Sequence, residues 1–276
     1  QLALLAQYIN DPPENYDLAT HYQQASYILT ADITWNDTAG FDSWTEQAPA
    51  YAWEPIGMYQ PFQGSFDGGG HTISGLYLAS TWHPGTTDAG SQPSFGLFGR
   101  LAGSTDQTCT VRNVSVTCSL YRIFNVAYHI GGIAGDARNA RVEHCTFDGT
   151  ILCRGGNNAG GIVGEARQVD LADCTFSGAL RGEVKVYYMA GLAARATGGT
   201  MDGCVNDGAL SPAGESLGMG GIVAELTDAT EFVSDKAEGD MSFTVEGHDV
   251  RALTTLSNCT NRADLLYGGG IAGQIL

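Results

Sequence analysis

Apolar and polar positions alternate along most of this chain. Between residues 142 and 151 the apolar positions are Val142, Cys145, Phe147 and Ile151, with polar or small residues between them. A period near two marks short strands, and none of these segments holds a 3.6-residue period long enough for a helix. Gly149, Gly178 and Gly208 punctuate the strands, where a glycine tolerates positive φ. The opening "LALLAQYIN" is the exception. Leu2, Leu5 and Ile9 share one helical face and "DPP" ends the pattern, which predicts a short amphipathic helix.

The alternation is itself repeated. "IGGIAG" (130–135), "AGGIVG" (159–164), "MAGLAA" (189–194), "MGGIVA" (219–224) and "GGGIAG" (268–273) recur at intervals of 29, 30, 30 and 49 residues. The last interval is one period with 19 residues added. Cys145, Cys174 and Cys204 each follow their phrase at one offset, and Cys259 extends the series. Internal repeats of this length mean a solenoid, a propeller or an array. A propeller blade needs about 40–45 residues and a hexapeptide coil about 18, so neither period matches. The spacing fits an all-β chain folded as a right-handed parallel β-helix with large coils of about 30 residues and a short N-terminal capping helix.

On this reading Ile133, Ile162, Leu192, Ile222 and Ile271 form one inward ladder, and the flanking glycines let the chain bend between faces. The cysteines form a second ladder of buried free thiols, with Val114 taking the same place one coil earlier. Cys109, Cys118 and Cys153 fall outside it. Residues 1–27 make the cap and lead-in and residues 28–276 the β-helix, with loop insertions near 35–61, 79–94 and 231–253. The last insertion is expected to project from the stack with one hairpin, since an insertion inside it would break the ladders. The final "GGGIAGQIL" stops within a repeat, so more coils are expected to follow.

Composition narrows function. The formal charge is −17, with Lys185 and Lys236 the only lysines, which argues against nucleic acid or anionic lipid as partner. No apolar run reaches the length of a membrane span. No CxxC pair suggests zinc, and "DGGGH" (67–71) lacks both the P-loop lysine and the repeated calcium-binding pattern, so no metal or cofactor is expected. All four tryptophans, Trp35, Trp44, Trp53 and Trp82, lie near the amino terminus. They either fill the first coil or offer an aromatic platform to a glycan or host protein. Trp44 and Trp82, set in polar loops, together with Tyr51 and Tyr59, are the candidates for an exposed ligand-binding surface.

"YILTADITW", "WEPIG", "PFQGSFDGGGHTISGLYL", "FGLFG" and "VRNVSV", followed by "GGIAG" and its echoes, together resemble the GLUG-type repeat regions of cell-surface proteins of Gram-positive gut bacteria. Such regions also occur in the amino-terminal part of immunoglobulin-A-cleaving metallopeptidases, whose HExxH zinc signature is missing here. The resemblance implies an extracellular, cell-surface or secreted β-helix with no catalytic residues. The resulting expectation is a monomeric, non-catalytic adhesin, stalk or binding module. The alternative is a polysaccharide lyase or glycosidase on the same scaffold, which would need carboxylates on one outer face. Asp136 and Glu165 share a repeat position that Arg195 occupies next, and Asp148 and Asp207 share another.

Overall fold

The computed structural model describes residues 1–12, 16–80, 93–104, 106–123, 129–154, 158–183, 186–214, 216–227, 232–237, 240–245, 254–263 and 270–275. Each regular coil contains a short strand, a bend, a long strand, a corner and a third strand. In one coil these are His129–Gly131, Ala134–Glu143 and Thr146–Cys153. Successive coils pair in parallel and in register, with Ala134 beside Val163, Val142 beside Leu171 and Phe147 beside Phe176. The short strands make a separate five-stranded sheet, while the other faces join into one long sheet. This is a parallel β-helix.

The expected aliphatic column forms. The amides of Ile133, Ile162, Leu192 and Ile222 donate to the carbonyls of Ile162, Leu192, Ile222 and Ile271 respectively, and all five side chains are buried. Each such side chain contributes about 1.5–3 kcal/mol by leaving water. The thiol column forms as well: Cys145, Cys174, Cys204 and Cys259 are free and buried, and backbone bonds link their coils, with Val114 above them. Of the remaining cysteines, Cys109 and Cys153 are buried, with thiols pushed up to about 12 by burial, and Cys118 is exposed.

The glycines act differently from the expectation. Gly132, Gly161, Gly191 and Gly221 are not at positive φ, and neither are Gly149, Gly178 and Gly208. A Cβ on Gly132 or Gly161 would lie 2.2 Å or 2.3 Å from the Cγ of Phe147 or Phe176. On Gly191 or Gly221 it would meet the side chain of Asn206 or Asn261 at 2.2 Å or 2.3 Å. These glycines clear space for a side chain arriving from the opposite wall. The corner between the second and third strands is made instead by Asn113, His144, Asp173, Gly203 and Asn258, all at φ between 50° and 62°. Each precedes a member of the Val114–cysteine column. Asn, Asp and Gly are the residues that enter the left-handed region at least cost.

At the amino end, α1 (Leu2–Asn10) buries Leu2, Leu5, Ala6 and Ile9 in the core that also holds Trp53 and Ile56. Asn10 fastens it, donating to the Pro55 carbonyl at 2.9 Å and accepting from the Met58 amide at 2.8 Å. A second helix, α2 (Tyr16–Gln24), lies in the lead-in and stacks Tyr22 on Tyr8 at 4.7 Å. The late insertion holds the expected hairpin, Phe232–Ala237 with Asp240–Val245, but its second strand also pairs antiparallel with Thr254–Asn261. It extends the edge of the stack rather than standing clear of it. Exposed edge N–H and C=O groups that would otherwise lack partners account for that placement. Most of the insertion near 79–94 lies outside the described residues.

Candidate functional site

Of the three aromatic candidates among the described residues, two are exposed and one is buried. Trp44 is only 3% exposed, which corrects the expectation of an exposed ring. A 3-10 helix, Thr38–Ser43, starts where Asp37 accepts from the Ala39 amide and folds this polar loop back onto the outer wall. Trp44 then packs edge-on against Phe41 and Tyr77, with Leu120 and Leu152 completing a small cluster outside the main core. Polar neighbours in sequence concealed this, because the apolar partners come from other coils. Tyr51 and Tyr59 are exposed, and neither makes a ring contact among the described residues. The Tyr51 backbone is pinned on both sides by the Asn36 side chain, at 3.0 Å and 2.8 Å. Trp82 lies outside the described residues.

A different surface concentrates polar side chains. Where the short strand turns into the long one, a residue and the seventh after it converge on the outer wall, as Asn158 does with Glu165 and Tyr188 with Arg195. Asn158 donates to Glu165 Oε2 at 2.9 Å, and His129 Nδ1 sits 3.5 Å from the same oxygen. Stacking of coils turns this corner into a valley along the helix axis. Its floor is a register-matched row of Arg100, Asp136, Glu165, Arg195 and Glu225. Side chains two residues apart on a strand share a face, so Arg138 and Arg167 stand beside Asp136 and Glu165. They reach them at 2.9 Å and 3.0 Å.

Charge is sorted by depth. The Asp136, Glu165 and Glu225 side chains are 7%, 3% and 1% exposed, whereas Arg138, Arg167 and Arg195 are 52%, 40% and 31% exposed. Arg195 bridges two coils, bonding Glu225 and lying 3.6 Å from Glu165, and it sits over the Tyr188 ring at 5.4 Å. Burial lowers its pKa, but Glu165 and Glu225 outweigh that and the guanidinium is held more firmly charged. Burial pulls the His129 pKa down, against the opposing pull of Glu165 and Asp136. Burial, followed by a hydrogen bond with Glu225, raises that of Tyr188. The result is a cluster of guanidinium groups, Arg138 and Arg167 in register and Arg195 to one side, held by carboxylates that water barely reaches.

The shared position of Asp136, Glu165 and Arg195 was visible in the repeat. Their partners His129, Asn158 and Tyr188 were not, because a bend separates them. Asp148 and Asp207 lie elsewhere, Asp207 pairing with Arg262 at 3.0 Å. Among the described residues no group of three or more His, Cys, Asp or Glu side chains is placed to hold a metal ion. No helix among them is long and apolar enough to cross a membrane.

The architecture defines a parallel β-helix with a charged corner valley, and comparison with known proteins agrees with the fold. Residues 126–152, which include "IGGIAG" and Cys145, match the family model of the GLUG motif. Halomucin of Haloquadratum walsbyi (strain DSM 16790 / HBSQ001) is 32% identical over 146 residues, covering 48% of this chain and 1% of Halomucin. A solved IgA1 protease superposes with a TM-score of 0.52 at 14% identity, over 93% of this chain and 19% of that one. At that identity the likeness is one of fold. The chain thus carries a GLUG-type region and spans a small fraction of each of these two relatives.

Proposed function

We propose that this chain is a rigid, non-catalytic β-helix module of an extracellular surface or secreted protein, working as a monomer that presents a ligand to its outer wall. The observation that carries the reading is the valley. Its guanidinium groups are held in place by buried carboxylates on a scaffold whose core leaves little freedom, which is preorganisation for binding. The GLUG-motif match and the similarity to Halomucin support a surface setting. A place among Gram-positive gut bacteria, and a role as adhesin or stalk, belong to the same proposal. The carboxylates of the valley, each tied to an arginine and all but closed to water, favour binding over acid–base chemistry. A general acid or base must reach the proton it moves.

The test is an array of glycans and host surface proteins probed with the recombinant chain. Saturable binding to at least one class, without release of reducing sugar, is the expected result. Sugar release from a polysaccharide panel would overturn the non-catalytic reading, and an array silent throughout would overturn the binding one.

A further inference from the structure

The valley also says what kind of ligand it takes. Its carboxylates are all but closed to water, so a ligand meets guanidinium groups almost alone. Guanidinium groups donate hydrogen bonds and accept none. Such a surface suits a ligand rich in anionic acceptors. Elsewhere the chain is strongly acidic, at −17 overall, so this patch is a local exception rather than part of a diffuse positive field.

Spacing narrows the class further. Arg138 and Arg167 stand in register on adjacent strands, while Arg195 on the next strand is in register with Glu165, two residues to one side of that line, and Thr197 lies beside Arg167. Adjacent strands lie about 4.8 Å apart. An extended peptide shows same-face side chains about 6.7 Å apart, out of step with that repeat. A linear sugar chain, whose rings are joined through two rotatable bonds, can set neighbouring carboxylates to that step. The Tyr188 ring, held by Arg195, adds an aromatic edge of the kind that packs against a sugar face.

We propose that the valley binds an extended acidic glycan laid along the helix axis, with sugar carboxylates on Arg138, Arg167 and Arg195. This rests on the ligand-binding reading above and names its ligand class.

Oligogalacturonate serves as the probe, measured by calorimetry at low and at moderate salt, with dextran as the neutral sugar and polyglutamate as the acidic peptide. Removing an arginine alone would leave a buried carboxylate unpaired, so the main variant is the neutral set Asp136→Asn, Arg138→Gln, Glu165→Gln and Arg167→Gln. It removes both charges of each pair and keeps hydrogen-bonding groups in place. The variant Arg138→Lys with Arg167→Lys keeps charge and loses the planar fork. Oligogalacturonate should bind saturably, more weakly as salt rises, and about tenfold or more weakly to the neutral variant. The lysine variant should fall between, and dextran should not bind. Absence of oligogalacturonate binding, unchanged affinity in the neutral variant with a native circular dichroism spectrum, or equal binding of polyglutamate would each overturn the proposal. If the array finds a ligand whose binding the neutral variant retains, the binding function stands and the valley assignment falls.

Discussion

The aliphatic column and the charged row are neighbours on the same coils, built from the same repeat. One runs Ile133, Ile162, Leu192, Ile222 and Ile271, chemically almost uniform and buried throughout. The other runs Arg100, Asp136, Glu165, Arg195 and Glu225, mixing both signs of charge while keeping register. The difference lies in what each must satisfy. Inside, every coil faces the same packing problem, and close-packed interiors tolerate little change of volume. Outside, a residue needs only a charge partner, on its own strand as for Asp136 and Glu165 or on the next coil as for Arg195 and Glu225, so sequence can vary while geometry stays. Identity of side chain marks the packed interior, and variation at fixed register marks the outer face.

Substitutions at equivalent depths should separate the two. The largest effect is expected inside: Ile162→Ala should cost about 2–5 kcal/mol by urea unfolding, since its neighbours in the column cannot collapse into the gap. A cost below 1 kcal/mol would mean the column is not the tightly packed element described here. Next comes Gly161→Ala, whose Cβ would lie 2.1 Å from the Gly191 carbonyl oxygen and 2.3 Å from the Phe176 ring. We expect at least about 1–3 kcal/mol, only part of it relieved in the background of Phe176→Ala, which removes the clashing Cγ and Cδ but leaves the Gly191 backbone contact. Independent, additive costs for that pair would break the link between the phrase and the opposite wall.

On the charged row, Arg195→Gln should cost about 1–3 kcal/mol. That is less than a fully buried pair, because the guanidinium is about one-third exposed, yet it leaves Glu225 without its partner. Adding Glu225→Gln should restore most of the loss, which no second substitution by a polar residue would do in the aliphatic column. Failure of that rescue would show that the row, too, is held by shape rather than charge pairing.

The smallest effect is expected from His129. Its folded-state pKa lies below the ordinary value of about 6.5, so near that pH the unfolded chain binds the proton more readily than the folded one. Stability should therefore be full above that value, fall as pH drops through it and level off below the folded value. Thermal melts between pH 7.5 and pH 5 should show His129→Gln losing less stability than the parent over that window. An equal loss in both proteins would remove His129 from the account and leave the valley's charge pairs as its whole electrostatic content.

Much of the fold was legible in the residues. The return of one phrase at 29 or 30 residues set the coil length, and equal offsets placed the aliphatic and thiol columns. The face of Leu2, Leu5 and Ile9 announced the cap. Those features depend on local alternation and on translation by one coil, both of which a linear pattern records. The corner residues Asn113, His144, Asp173, Gly203 and Asn258 were equally available, one place before each column member, but their types differ enough to hide the shared conformation. Only the tertiary structure decided what depends on the angle between walls. It brought Phe147 and Phe176 against the glycines of the phrase and drew Trp44 inward onto Tyr77. It laid the second strand of the late hairpin along Thr254–Asn261 and closed His129, Asn158 and Tyr188 over the row seven residues on. Alternation reports which side of its own strand a residue faces; it carries no information on which other strand the next bend will bring opposite.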